Sequence, residues 1–170
     1  MTEQHYAEAQ AFHRVFDDRA PAKPQALGQA ELIDRAGFML EELTEFATST
    51  ATSAADVDAV FAALQDKLAS ARAKLARKPA SATPPLVKQA DAVGDMLYLA
   101  YGNFVLMGVE PTAVLDAIHA ANMHKLFPDG TAHRDPVTNK VLKPASWAVQ
   151  YQPEPAITRA IVQQTTASQD

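Results

Sequence analysis

An all-α helical bundle is the fold class this sequence predicts, on three observations. Apolar residues recur at three- and four-residue spacing, strand-like alternation is scarce, and proline-bearing stretches cut the chain into segments of helical length. With 170 residues and 48% hydrophobic content, the chain suits one domain spanning 1–170, its core at about 28–147, that buries a core without staples.

The first helix is expected over about Glu3 to Asp18, with Phe12, Val15 and Phe16 inward, and it stops before Ala20-Pro21-Ala22-Lys23-Pro24. A second runs from about Gln29 to Thr48 on a stripe of Leu32, Ile33, Ala36, Leu40, Leu43 and Phe46. Ser53-Ala54-Ala55-Asp56 carries N-cap chemistry for a third, reaching about Arg77 with Val57, Val60, Phe61, Leu64 and Leu68 inward. The fourth, about Leu86 to Met107, is apolar around most of its circumference, which predicts the most central helix of the bundle. Pro111-Thr112 opens a fifth to about Leu126, lined by Val114, Leu115, Ile118 and Met123. Phe127 to Trp147 holds Pro128-Asp129-Gly130 and Asp135-Pro136, the turn chemistry of a long loop or small hairpin, before a last helix near Pro155 to Thr165.

Composition narrows the function classes. Lys+Arg total 15 against Asp+Glu 20, so the broad basic face of a duplex-binding protein is lacking and polymeric nucleic acid is not an expected partner. No cysteine is present, which excludes disulfides, thiolate zinc sites and thiol nucleophiles and fits a reducing compartment. The longest apolar run, Met96 to Val109, is shorter than the ~20 residues that cross a bilayer, so no membrane partner is expected. The first residues show neither a basic nor an apolar leader region, and a cytoplasmic location is the expectation.

Against this background the acidic residues stand out. On the second helix, Glu41-Glu42-Leu43-Thr44-Glu45 puts Glu42 and Glu45 three apart and Glu41 and Glu45 four apart, neighbours on the helix surface. Alone, that pattern also describes a solvated acidic face. Asp91 and Asp95 shift the balance, because they lie four apart in the most apolar helix, and a buried carboxylate must be paired, protonated or metal-bound. If the two helices pack antiparallel, Glu42, Glu45, Asp91 and Asp95 present an all-oxygen site suited to Mg²⁺ or Mn²⁺. Such an ion at an open carboxylate site most often serves phosphate chemistry. Glu41, rotated from the metal side, is either the base for an attacking water or a solvent-facing glutamate.

These residues resemble the all-α nucleoside triphosphate pyrophosphohydrolases, specifically the MazG-like group with dUTP-hydrolysing members. The resemblance rests on Glu41-Glu42-Leu43-Thr44-Glu45, Asp95-Met96-Leu97-Tyr98-Leu99-Ala100-Tyr101-Gly102, His119-Ala120-Ala121-Asn122-Met123-His124-Lys125, and Pro128-Asp129-Gly130 through Lys140-Val141-Leu142-Lys143-Pro144-Ala145-Ser146-Trp147. In order, they span roughly 30–147.

The resemblance implies metal binding by Glu42, Glu45 and Asp95 and placement of Asn122 and Lys125 near the phosphates or sugar, and Glu41, Glu42 and Glu45 are the candidate catalytic residues. Many members carry Glu-x-x-Asp on the later helix. Here Ala92 stands three before Asp95, and Asp91, four before it, takes the ligand's place. Tyr98 is a nucleotide contact or a core tyrosine, and Lys140, Lys143 and Arg134 form a basic lid or solvated loop charges. Trp147 anchors the loop or touches the base. The implied reaction is attack of an activated water between the α- and β-phosphates with Mg²⁺ (or Mn²⁺), releasing pyrophosphate. dUTP leads as substrate by analogy, and a homodimer, or a tetramer, is the expected assembly.

Two rival readings remain open on the sequence. Asp116-Ala117-Ile118-His119 is a loose half of a carboxylate-bridged di-iron motif, which needs a second acid–histidine pair from another helix. A non-enzymatic helical adaptor is the other.

Overall fold

The computed structural model describes residues 3–17 and 19–167. Among them are seven helices and no strand: α1 (Gln4–Phe16), α2 (Gln29–Thr48), α3 (Ala54–Ala76), α4 (Pro85–Met107), α5 (Thr112–Met123), α6 (Trp147–Gln150) and α7 (Glu154–Ala167). The all-α expectation holds. The described helices form two compact units, 24–91 and 1–23 with 92–170, and the boundary falls inside α4.

In unit 24–91, α2 and α3 pack as a helical hairpin. Ser53 Oγ accepts from the Asp56 amide at 3.2 Å and caps α3, while Asp56 Oδ2 accepts from the Thr52 amide and hydroxyl at 3.0 Å each. These bonds occupy orphan donors at the entry to the helix and fix where it starts. The Gln89 amide clamps the main chain of Leu27, accepting from its N–H at 2.9 Å and donating to its carbonyl at 3.1 Å, which ties the entry of α2 to the first turns of α4.

Among the described residues, the buried hydrophobic side chains all lie in unit 1–23/92–170: Phe16 on α1, Val114 and Ala121 on α5, Trp147 on α6 and Ala160 on α7. Here α5 packs on both α1 and α7. The Gln164 side chain repeats the two-way clamp, accepting from the Glu110 amide at 2.8 Å and donating to its carbonyl at 2.9 Å.

Several expectations are corrected. The first helix ends at Phe16, and Asp18 lies outside the described residues. The fifth ends at Met123, three residues short of Leu126. The inner faces assigned to the second and third helices are largely open, with Ile33, Leu40, Leu43, Phe46, Phe61 and Leu68 all exposed. A two-helix hairpin gives each helix one neighbour, too few to enclose such stripes. The fourth helix is not the buried centre: none of its residues is buried, and Tyr98, Val105 and Leu106 are 81%, 78% and 87% exposed. A helix apolar on every side needs several neighbours, and one chain does not supply them. No helix among the described residues is long and apolar enough to cross a membrane.

Candidate active site

Glu41, Glu42 and Glu45 occupy consecutive turns of α2, all exposed, and the second helix keeps the bounds its periodicity predicts. Thr44 Oγ donates to the Glu41 carbonyl at 2.8 Å and Thr48 Oγ to the Thr44 carbonyl at 2.7 Å, so the threonines bond inward along the helix and leave the carboxylates outside. Asp91 and Asp95 lie on one side of α4, four residues apart, and both are exposed rather than embedded in apolar surroundings. The burial that argued for metal from Asp91 and Asp95 is therefore absent in the single chain.

The chemistry of the donor set still fits a hard divalent cation. Among the described residues, no ion pair engages Glu42, Glu45, Asp91 or Asp95, which leaves carboxylate oxygens without a basic partner. Glu42, Glu45 and Asp91 do not form a converging set of three in unit 24–91. Three metal-capable side chains do converge elsewhere, at His5, Glu8 and Asp116.

The remaining candidates belong to unit 1–23/92–170. Tyr98 is an exposed side chain, so it is not a core tyrosine of the single chain. Asn122 is half-buried on the last turn of α5, while Lys125 falls in the turn beyond it, where its amide donates to the Asn122 carbonyl at 3.1 Å. The helical spacing assumed for Asn122 and Lys125 thus gives way to a helix end.

The segment after α5 is a small hairpin. An isolated antiparallel bridge joins Arg134 to Val141, and the Leu142 amide donates to the His133 carbonyl at 2.8 Å. Asp135 Oδ1 accepts from the amides of Val137 and Thr138 at 2.9 and 2.7 Å, and Asn139 takes φ +56°, in the left-handed region where asparagine is tolerated. In the preceding turn, Asp129 is held to about 2. The cause is first the Thr131 amide, then His133 Nε2 at 2.7 Å and the Thr131 hydroxyl, which together stabilise the charged carboxylate. The His133 ring stacks on Phe127 at 3.9 Å.

This hairpin divides the basic residues by role. Arg134 is neither a lid cation nor a solvated loop charge, because its guanidinium donates to the carbonyls of Phe16 and Asn139, both at 2.6 Å. Lys143 Nζ stands 4.0 Å from the centroid of Trp147. Lys140 is exposed at the rim of the hairpin. Trp147 is buried, and its Nε1 donates to the Ala121 carbonyl at 2.8 Å, so it anchors the end of the hairpin to α5. The sequence gives no local sign of Arg134's role, since its acceptor on Phe16 lies 118 positions away.

Comparison with known proteins bears on the whole arrangement. The family model for phosphoribosyl-ATP pyrophosphohydrolase matches residues 9–122, a span that contains both acidic helices. A crystal structure from Exiguobacterium sp. 255-15, of a protein assigned provisionally as an NTP pyrophosphohydrolase, superposes with a TM-score of 0.85 at 29% identity and covers 99% of each chain. No curated protein matches at a significant level. The family match over two-thirds of the chain, together with the all-α fold, places this chain in the phosphoribosyl-ATP pyrophosphohydrolase family.

Proposed function

We propose that this chain is a Mg²⁺-dependent nucleoside triphosphate pyrophosphohydrolase, with Mn²⁺ as an alternative ion, that yields a nucleoside monophosphate and pyrophosphate in the cytoplasm. The observation that carries the reading is the family match across both acidic helices, whose exposed Glu42, Glu45, Asp91 and Asp95 have no basic partner among the described residues. These four residues would hold the ion. Bound there, it supplies charge neutralisation for the triphosphate and acidifies a water.

The chain's own groups do the rest. Glu41 accepts the proton of the attacking water, Asn122 and Lys125 bind the phosphates or sugar, and Tyr98 offers its exposed ring to the base. Lys140 and Lys143 contribute positive charge on the substrate side, and for Lys143 this means leaving the face of Trp147. dUTP is the leading substrate, and the family's name adds phosphoribosyl-ATP as the competing one.

The working form is a homo-oligomer, a dimer or a tetramer, in which a second copy covers the open apolar faces of α2, α3 and α4. Large apolar side chains exposed along each of these helices mark an interface rather than a water-facing side.

Pyrophosphate release from a nucleotide panel containing dUTP and phosphoribosyl-ATP, with Mg²⁺ or Mn²⁺, tests the reading. Metal-dependent release from one nucleotide, lost in Glu45→Ala and Asp95→Ala, is the expected result. Silence across the panel from folded, metal-supplied protein overturns it.

A further inference from the structure

We propose that His5, Glu8 and Asp116 form a second metal site, for a divalent transition ion of the zinc class, that pins the start of α1 to α5. It is independent of the acidic residues on α2 and α4.

The site is built from two helices that pack on each other. His5 and Glu8 are one turn apart on α1, and Asp116 projects from α5. One ligand atom from each of the three lies within 4.8 Å of the others. Nitrogen and oxygen ligands on a tetrahedral zinc-type ion stand about 3.4 Å apart, so small side-chain rotations close the set. Imidazole nitrogen beside carboxylate oxygen selects zinc, cobalt or nickel over magnesium, which prefers oxygen alone.

A supporting shell is already in place. Gln4 Nε2 donates to Asp116 Oδ1 at 3.0 Å and to Glu8 Oε1 at 3.1 Å, bridging the two carboxylates and holding them together despite their like charge. The second oxygen of Glu8, Oε2, faces His5 Nδ1 at 3.0 Å. An ion replaces the proton shared by that nitrogen and oxygen, and the proton is released to solvent. Glu8 and His5 are about one-fifth exposed, which shields the ion while leaving an entry path.

The surrounding charge favours a cation. Glu8, Glu3 and Asp116 all act on His5 as negative neighbours. Glu3 is committed to the His5 and Tyr6 amides as the cap of α1, and Glu110 to the amide and hydroxyl of Thr112. Glu8 and Asp116 are thus the carboxylates left to ligate.

The test is Co²⁺ titration of the untagged full-length chain in excess Mg²⁺, followed by visible absorption, with Zn²⁺ competition. The expected result is one Co²⁺ per chain with a four-coordinate absorption band, abolished by Zn²⁺. The band is absent in His5→Ala and in Asp116→Asn and unchanged in Glu45→Ala. Gln4→Ala, which removes a positioning residue, weakens binding roughly 10-fold or more. Helical circular dichroism at the wild-type level shows that the variants remain folded. Absence of the band in wild type, its survival in His5→Ala, or its loss in Glu45→Ala overturns the proposal.

Discussion

Arg134 Nη2 donates to the Phe16 carbonyl at 2.6 Å, joining the hairpin after α5 to the last turn of α1. That carbonyl is one of the orphan acceptors at a helix end, and the guanidinium serves it where no further helical N–H can. Arg134→Met keeps the aliphatic stem and removes both bonds to carbonyls. Thermal unfolding should show a loss of about 1.5–3 kcal/mol, the range for hydrogen bonds to a charged group. Wild-type stability in Arg134→Met would mean that the clamp is dispensable.

Trp147 is the sole tryptophan, so its burial can be read directly by fluorescence. Trp147→Phe retains most of the packing but strips the Ala121 carbonyl of its 2.8 Å donor, and about 1–3 kcal/mol should be lost in denaturant unfolding. Trp147→Ala adds a cavity and should lose about 3–5 kcal/mol. Wild-type emission should be blue-shifted and shift red on unfolding.

The Asp129 turn carries a pH dependence of defined sign. Its carboxyl is lowered from 3.8 to about 2 in the folded chain, so its contribution to the turn is present above about pH 4 and lost as pH falls through 2. The Thr131 amide resonance should follow that titration, and Asp129→Asn should remove it. A Thr131 amide that titrates near pH 4 would mean that the carboxyl is not held.

Capping of α3 by Ser53 gives a local test that involves no long-range contact. Ser53→Ala removes the acceptor for the Asp56 amide and should lower stability by about 1 kcal/mol, with Ser53→Gly losing less. Equal losses would point to a role other than capping.

The open face of α4 predicts the assembly. Val105→Glu and Leu106→Glu leave the single chain's packing intact, since both side chains are exposed within it. Light scattering should give a multiple of 18.3 kDa for wild type and a smaller mass for the double variant. Wild type at 18.3 kDa would remove the oligomer from the proposed function.

Much of the fold was legible because helix signals act over a turn or less. Periodicity gave the bounds of α2, the Ser53 cap located α3, and the prolines marked the interruptions. The four-residue α6 leaves no sequence signal because one turn carries no period, and Leu126 continues the apolar spacing of α5 after the helix has ended at Met123. Glu41, Glu42, Glu45 and Asp95 were recognisable as a pattern for the same local reason.

What the sequence by itself determined is therefore the six longer helices, several of their ends and the acidic pairs along them, all properties of residues three or four apart. Only the tertiary structure decided that Arg134 is a clamp, that Trp147 is an anchor, that α4 is uncovered, and that His5 and Glu8 meet Asp116. Each depends on groups far apart in the chain, and packing rather than local propensity brings such groups together.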